Sequence, residues 1–509
     1  MDLKIVNATL DTRETLFEGN PEQGFESDII LPDYCPEVRR ILKCHITPKI
    51  SQCYQNGSDV NIDGFIFVKI YYLCDENKIH SYDNKIPFSK VLEIKEGIDG
   101  VSVAVSAKNN YVNCRAVNQR RFDVRGAISL SARVTGRVSE NVVAEAVGDG
   151  IQLRRKKINC SSLCSETSTQ FSVQEEETLD SASINSVVRN ESSVVLTEVK
   201  VIPNKAIING ELTVKTVYSD AQKDTLVSTV HTFPISRILD IDRLTVDGQV
   251  EVKSDVVSAE VFAKQDENGE FTKHGFDVKL NIFAKAYETK EIMVATDAYS
   301  TDFSSDCNFK KISLMCVNSV MDKTFTHSSQ IELSTTAIRD VVDLWATAKN
   351  PVLKSEDGRF LLETPVDVFA FYTQEDGAVD FAEKTVLVPF DISLENNAEA
   401  EFSPEVKVLS CEYALVSPNK VELRLEIKVV GAVANKYTER CISDIDIDYS
   451  LPKVNTTAPA LTIYYCDSGE EIWNIAKKYN TSADRVMFEN DLDSETITEN
   501  RVLLIPTSN

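Results

Sequence analysis

No stretch of this chain reaches the roughly 18 uncharged apolar residues that a membrane-spanning helix needs. The most apolar segment, Phe65 to Cys74, is interrupted by Lys69 and has the length of a strand. The N-terminus carries Asp2, Lys4, Asp11 and Arg13 and has no continuous apolar core, which excludes a secretory signal peptide. No GxSxG, HExxH or GxxxxGKS/T run occurs, and the five histidines are scattered. The motif-bearing hydrolase, zinc-peptidase and nucleotide-loop classes are thereby excluded, the chain reads as a non-enzyme, and no cofactor is implied. Basic residues are also in short supply, 54 against 79 acids, for a net charge of −25. A field of that sign repels nucleic acid and anionic lipid, so neither is an expected partner.

Twelve cysteines without an export signal indicate reduced thiols in a cytosol. There is no CxxC. Cys160 and Cys164 form a single Cys-x3-Cys, with Cys35, Cys44 and His45 elsewhere, short of the four convergent ligands of a zinc site. Buried, inert thiols are the expectation.

What the chain does have is alternation. Asn61 to Leu73 (NIDGFIFVKIYYL) is rich in aromatic and β-branched residues and reads as a strand, and Phe122 to Val134 reads as a strand pair. The order recurs. Asn209 to Tyr218 answers the first strand, Phe233-Pro234-Ile235-Ser236 answers Ile86-Pro87-Phe88-Ser89, and Phe276-Asp277-Val278-Lys279 answers Phe122-Asp123-Val124-Arg125. A third pass gives Pro365 to Tyr372, Pro389 to Ser393 and Val421 to Val429. Tyrosines end the first strand of each pass at 72, 218 and 372, a spacing of 146 and then 154 residues. Repeats of that size are tandem domains, since solenoid units are shorter. The fold class is therefore mainly β, with tandem sandwich- or barrel-like repeats and a small β-α-α-β module at the end.

Composition places the boundaries. Ser/Thr/Glu-rich 159–177 reads as a linker, 300–322 as a second break, and Leu451 to Pro459 as an extended tether. The domains are then 1–158, 178–299, 323–450 and 460–507. Arg154 to Lys157 is a short basic run without interleaved aromatics and reads as a solvated loop. Ser27 to Cys44 (SDIILPDYCPEVRRILKC) predicts a strand, a turn at Pro32-Asp33, and one or two helical turns after Pro36. A nucleophilic Cys35 would need a base beside it; a rigid corner packing Tyr34 is the simpler reading.

The last stretch, Leu461 to Pro506, is a complete small module with a strand at each end. Ser468-x-x-Glu471 predicts a capping box, and Ile472, Ile475, Ala476 and Tyr479 define one buried helical face. Trp473 lies off the centre of that face, as core or as contact. Thr481-x-x-Asp484 opens a second helix, Asn490 and Asp491 end it, and Val502 to Ile505 returns as a strand. Nine acids against four bases give the module a charge of −5.

The pattern of Gly469, Ile472-Trp473, Ile475 to Tyr479, Asn490, Leu492 and Leu503 to Pro506 resembles the LysM domain. That resemblance implies a groove for N-acetylglucosamine-containing glycans between the first turn and the loop after the second helix. Its lining here would be Ser468, Gly469, Glu470, Glu471, Ile472, Trp473, Asn490, Asp491 and Leu492. Glu470-Glu471 stands where the family has Asp-Thr, and Asn500 where it has glycine, so a protein ligand fits the acidic face as well as peptidoglycan does. Upstream, Asp28 to Pro36 (DIILPDYCP) with Val38 and Ile41 to Cys44 resembles the SPOCS domain of endospore-forming bacteria; later repeats replace that corner with Asp180 to Val188 and Ser334 to Val342. The combination implies a coat-assembly scaffold without membrane insertion, sited in the mother-cell cytoplasm at the forespore surface. Its implied partner is the coat-basement morphogenetic ATPase, with peptidoglycan as the alternative ligand.

Overall fold

The computed structural model describes residues 3–94, 100–179, 183–221, 225–356, 359–392, 400–453 and 461–506. The first repeat holds β1 (Lys4–Gly19), β2 (Glu22–Ile30), β3 (Arg40–Asn56), β4 (Asp59–Leu73), β5 (Ile79–Glu93), β6 (Ser102–Asn118) and β7 (Arg121–Val147). The second holds β8 (Ile151–Thr178), β9 (Ile184–Ile202), β10 (Lys205–Asp220), β11 (Leu226–Asp240), β12 (Gln249–Lys264) and β13 (Lys273–Ser300). The third holds β14 (Phe303–Glu332), β15 (Ile338–Ala348), β16 (Val352–Glu356), β17 (Arg359–Gln374), β18 (Val379–Ile392), β19 (Ala400–Phe402), β20 (Glu405–Ser417) and β21 (Lys420–Pro452). The chain is thus mainly β, as the alternation predicts.

Each repeat is built from two sheets. One is an antiparallel meander, β3-β4-β5, β9-β10-β11, or β15-β17-β18 with β16 also on β17. The other is organised by one long strand, β7, β13 or β21, flanked by β6, β12 or β20 on one side. On its other side β13 carries β8 and β21 carries β14, each paired along almost its whole length. In the first repeat two strands divide that side of β7 between them, β2 pairing with Arg121 to Ser129 and β1 with Ala132 to Val147. Asn20-Pro21 separates them, and proline has no N–H to give a ladder. The recurring Pro87, Pro234 and Pro389 all lie in outer meander strands paired on one side only, where the missing donor faces away from the sheet.

Every second residue of β4 is buried, and its Val60, Ile62, Ile66, Val68, Ile70 and Tyr72 pack on Phe122, Val124, Ile128, Leu130, Ala132 and Val134 of β7. The two other repeats repeat this sandwich core. The long strands then run beyond their sandwiches and meet. Leu10 and Val142 of the first repeat, Ile158 and Val294 of the second, and Ile312 and Cys441 of the third form one apolar cluster. Val143, Ala295 and Ile442, all fully buried, head a second. A third cluster joins the meanders: Tyr71 and Leu73, Val188, and Trp345 with Phe369 and Phe371. Polar contacts close the ring of repeats: Lys49 to Asp255 (2.8 Å), Lys428 to the Leu196 carbonyl (2.8 Å), and Arg40 to the Val379 carbonyl (2.8 Å).

Several expectations change. The segment 159–177 is no linker: it lies within β8 and pairs with β13. The segment 300–322 is likewise mostly β14. The polar residues there mostly fill exposed and half-exposed positions of long paired strands, so composition alone misleads. Phe122 to Val134 is part of one continuous strand rather than a pair. The tether expected at Leu451 to Pro459 ends β21 at Pro452, and its residues 454–459 lie outside the described residues.

The Pro32 to Pro36 corner is a turn, closed by Cys35 N–H to the Pro32 carbonyl (3.0 Å), and no helix follows. Arg120 clasps it through the Pro32 and Cys35 carbonyls (2.6 and 3.2 Å), and the Tyr72 hydroxyl donates to the Pro36 carbonyl (3.2 Å). Leu31 and Val38 are its buried ends, whereas Tyr34 is 85% exposed and does not pack. Burial pushes the Cys35 thiol up, away from nucleophilic use.

Between the second and third repeats, Arg189 and Asp343 are both nearly inaccessible and form an ion pair (2.5 Å), with Lys215 on the other Asp343 oxygen (2.9 Å) and Trp345 stacked over the guanidinium. Burial alone would raise the Asp343 carboxyl, but the two cations outweigh it and hold it below its ordinary value. Asp343→Ala should cost about 3 kcal/mol, because it leaves the buried guanidinium with Glu191 (3.0 Å) as its remaining carboxylate partner and Lys215 without its own. Replacing Arg189 and Asp343 together by apolar residues should cost much less, and chemical unfolding of the two variants beside the parent checks this.

His274 is fully buried against Tyr218, His231 and Phe276, and neither ring nitrogen has a hydrogen-bond partner among the described residues. Burial, with His231 beside it, depresses its pKa to about 4. The unfolded chain then takes up the proton first, so this site's contribution is complete above about pH 6.5 and is lost as pH falls toward 4. His274→Phe should flatten the dependence of melting temperature on pH across that window.

Candidate functional site

The C-terminal module is β22 (Leu461–Cys466), α1 (Ile472–Lys478), α2 (Ala483–Glu489) and β23 (Arg501–Pro506), in the β-α-α-β order expected. The strands pair antiparallel from Leu461↔Pro506 to Cys466↔Arg501. Ile472, Ile475, Ala476, Val486, Leu503 and Ile505 form its core, while Phe488 is exposed.

The helix starts differ from the predicted caps. Glu471 is itself the N-cap of α1 and makes no side-chain capping bond, so the Ser468–Glu471 box does not form. The Ser468 hydroxyl instead donates to the Thr498 carbonyl (2.8 Å). Ser482, not Thr481, caps α2, accepting from the Arg485 N–H (3.2 Å). At α1 the loop between Leu492 and Asn500 competes for the first turn: Ile472 N–H reaches the Glu495 carbonyl (2.8 Å) and Ile497 N–H the Glu470 carbonyl (2.9 Å).

Of the nine candidate groove residues, Ser468, Gly469 and Asp491 lie exposed, Gly469 with φ +96°, where a side chain would be strained. Glu470 turns back, accepting from the Tyr464 hydroxyl (2.9 Å) and the Asp467 N–H (3.0 Å). Asn490 is wholly engaged: its amide donates to the Val486 and Leu504 carbonyls and accepts from the Leu504 N–H, each at 2.7 Å. It ties α2 to β23. Ile472 is core, and Leu492 packs against it. Asn490→Ala should therefore destabilise the module by roughly 1–3 kcal/mol, since it orphans buried backbone groups. Faster amide exchange in α2 and β23, with the repeats unchanged, is the expected readout.

Glu471 and Trp473 are occupied by the body of the protein. Arg154 of β8 pairs with Glu471 (2.7 Å) and keeps its carboxyl below the ordinary value. Trp473, 5% exposed, donates its indole N–H to Asp297 of β13 (2.7 Å), and Lys477 binds the same carboxylate (2.7 and 2.9 Å). Tyr299 of β13 enters the module's apolar cluster, its ring centroid 5.0 Å from that of Trp473, and its hydroxyl donates to the Thr481 carbonyl (2.7 Å). Trp473 is thus part of the buried apolar cluster, and its indole N–H joins that cluster to the chain's own second repeat. Beside this seam lies a polar cleft of about 640 Å³ reached by Arg155, Arg440, Asp484 and Glu495.

Sequence reasoning missed Asp297 and Tyr299, and it read Arg154 as part of a solvated loop. The basic run lies in β8, with Lys156 paired to Glu439 and Lys157 to Glu291. The available signal was comparison between repeats: Ala298 corresponds to Ala146 and Ile445 in the shared cluster, and its neighbours differ.

Two segments, 37–117 and 183–263, match the family model described as SipL, SPOCS domain. This is a SPOCS-domain protein. The first match spans the meander of the first repeat through most of β6, and the second the corresponding β9 through most of β12. The third repeat runs through the same order in β15, β17, β18 and β20. No curated protein matches the chain. In both SPOCS matches the long strand that builds the contacts between repeats, β7 or β13, lies outside the matched segment. Among the described residues no group of three or more His, Cys, Asp or Glu side chains is placed to hold a metal ion, and no helix is long and apolar enough to cross a membrane.

Proposed function

We propose that this protein is a non-enzymatic scaffold of endospore coat assembly, working in the mother-cell cytoplasm at the forespore surface. Its C-terminal module acts as a LysM-type domain that docks onto the coat-basement morphogenetic ATPase. The observation that carries the reading is the pair of SPOCS-domain matches in a body that also presents a β-α-α-β module with the LysM residue pattern. The choice of a protein over a glycan rests on hydrogen-bonding capacity. A sugar is bound by polar groups free to meet its hydroxyls, but Glu470, Asn490 and the Ser468 hydroxyl already commit theirs inside the module. What remains is an acidic, partly apolar surface, which suits a protein with a basic patch.

The test uses purified full-length chain, presented in parallel with the coat-basement ATPase of the same spore-former and with peptidoglycan sacculi. Saturable binding to the ATPase, weakened by salt, is the expected result. Binding to sacculi alone would replace this reading with a glycan-binding one.

A further inference from the structure

The seam between module and body is specific to one repeat. In β8 and β13 Arg154 lies opposite Asp297 in the ladder, with Tyr299 two residues on. The same positions are Val6, Glu145 and Val147 in the first repeat, and Asn308, Asp444 and Asp446 in the third. Neither has the arginine or the aromatic. The module is joined through residues 453–460 to β21 of the third repeat, yet it sits on the second. The connection leaves beside this seat, Lys453 donating to the Asp302 and Ser300 carbonyls (2.7 and 2.8 Å), so proximity brings the module to this edge, and the side chains fix which face of it is seated there.

The seat also has a simple chemical content. An extended strand offers a carboxylate to an indole N–H and an ammonium one helical turn apart, and an aromatic hydroxyl to a backbone carbonyl. Tyr299 completes an apolar cluster that the module's own residues leave open on that side. The neighbouring cleft gives water a path to the rim, and half-exposed ion pairs such as Arg154–Glu471 are held reversibly.

We infer that the Trp473 face of the module, with its indole N–H and Lys477 ammonium, is a peptide-recognition surface separate from the acidic groove side that a basic patch would meet, that Asp297-Ala298-Tyr299 occupies it in cis, and that a protein partner gains it by presenting its own carboxylate-x-aromatic strand and displacing the second repeat. The inference rests on the reading of the module as a protein-docking domain and adds what it recognises and what holds it closed.

Full-length chain carrying Asp297→Ala with Tyr299→Ala, and Asp297→Ala alone in case the loss of Tyr299 perturbs β13, tests both parts. Trp473 and Trp345 are the two tryptophans, and Trp345 is enclosed by Phe369, Phe371 and Arg189, so the difference from a Trp473→Phe chain isolates the reporter. Acrylamide quenching of Trp473 should rise several-fold in at least one opened variant with the circular dichroism unchanged. A labelled peptide of residues 294–301 (VATDAYST) should bind the opened chain at least about tenfold more tightly than the parent, and adding Trp473→Ala should abolish that binding. Trp473 remaining as shielded in both variants as in the parent would overturn the cis occupancy. Trp473 opening without any gain in peptide binding would overturn the recognition pattern. A chain that opens and takes up the peptide, yet fails to bind the coat ATPase, leaves this inference standing and removes the proposed partner.

Discussion

The apolar seam where the three long strand pairs meet is the constraint on which the rest of the molecule depends. A β-sandwich repeat can bury one face of each of its sheets by itself, but β7, β13 and β21 are 27, 28 and 33 residues long and overrun their sandwiches. Their outer halves would expose apolar residues to water. They bury them on one another instead, with one contribution from each repeat at each level: Val142, Val294 and Cys441, then Val143, Ala295 and Ile442. Removal of such side chains from water is the dominant favourable term, at about 25 cal/mol per Å² of apolar surface. The three repeats form one body because none can complete this layer alone.

Burial of apolar surface does not fix which repeat meets which, and the polar contacts do. Arg189, Lys215 and Asp343 form a buried charge group drawn from the second and third repeats, and Tyr71 of the first packs on Trp345 beside it. A buried charge is tolerable only with its partner present, so mispaired repeats would strand one. Lys49–Asp255 and Arg40–Val379 mark the other two seams in the same way.

Much of this fold was legible in the sequence. Alternation in Asn61 to Leu73, and its recurrence through Tyr218 and Tyr372, identified the meander strands because a half-buried strand imposes a period of two on its residues. The long strands were harder to read. In 159–177 the inward positions of β8 are filled by Cys, Leu, Phe and Val among Ser, Thr and Glu, so composition resembled a linker while the ladder to β13 was continuous. The module was legible for a different reason: its helices carry the 3.6-residue period and its strands close a small core. The start of α1 was misread, because a loop distant by some 25 residues supplies the partners that local capping motifs supply elsewhere. The contact of Trp473 with Asp297 joins positions 176 residues apart, and no local pattern announces it.

Repetition followed by a single departure is what gives the body a direction. Three equivalent strand pairs present three equivalent edges, and an edge common to all could not orient an appended module. A carboxylate is common to all three edges at this position (Glu145, Asp297 and Asp444), so it is Arg154 and the buried Tyr299 in one of them that break the equivalence, while the shared apolar layer beneath is retained. The seven residues 454–460 then keep the module near that edge, and a connection this short corresponds to a local concentration of the order of mM. An interface with an intrinsic dissociation constant of about 10 µM would on that footing be closed about 99% of the time. A partner competing for the same face would lose a factor of about 100 in apparent affinity, roughly 3 kcal/mol, which a few contacts outside the shared strand can restore. A few half-exposed polar contacts and one aromatic stack are the scale of interface such a balance requires; a large apolar one would lock the module in place.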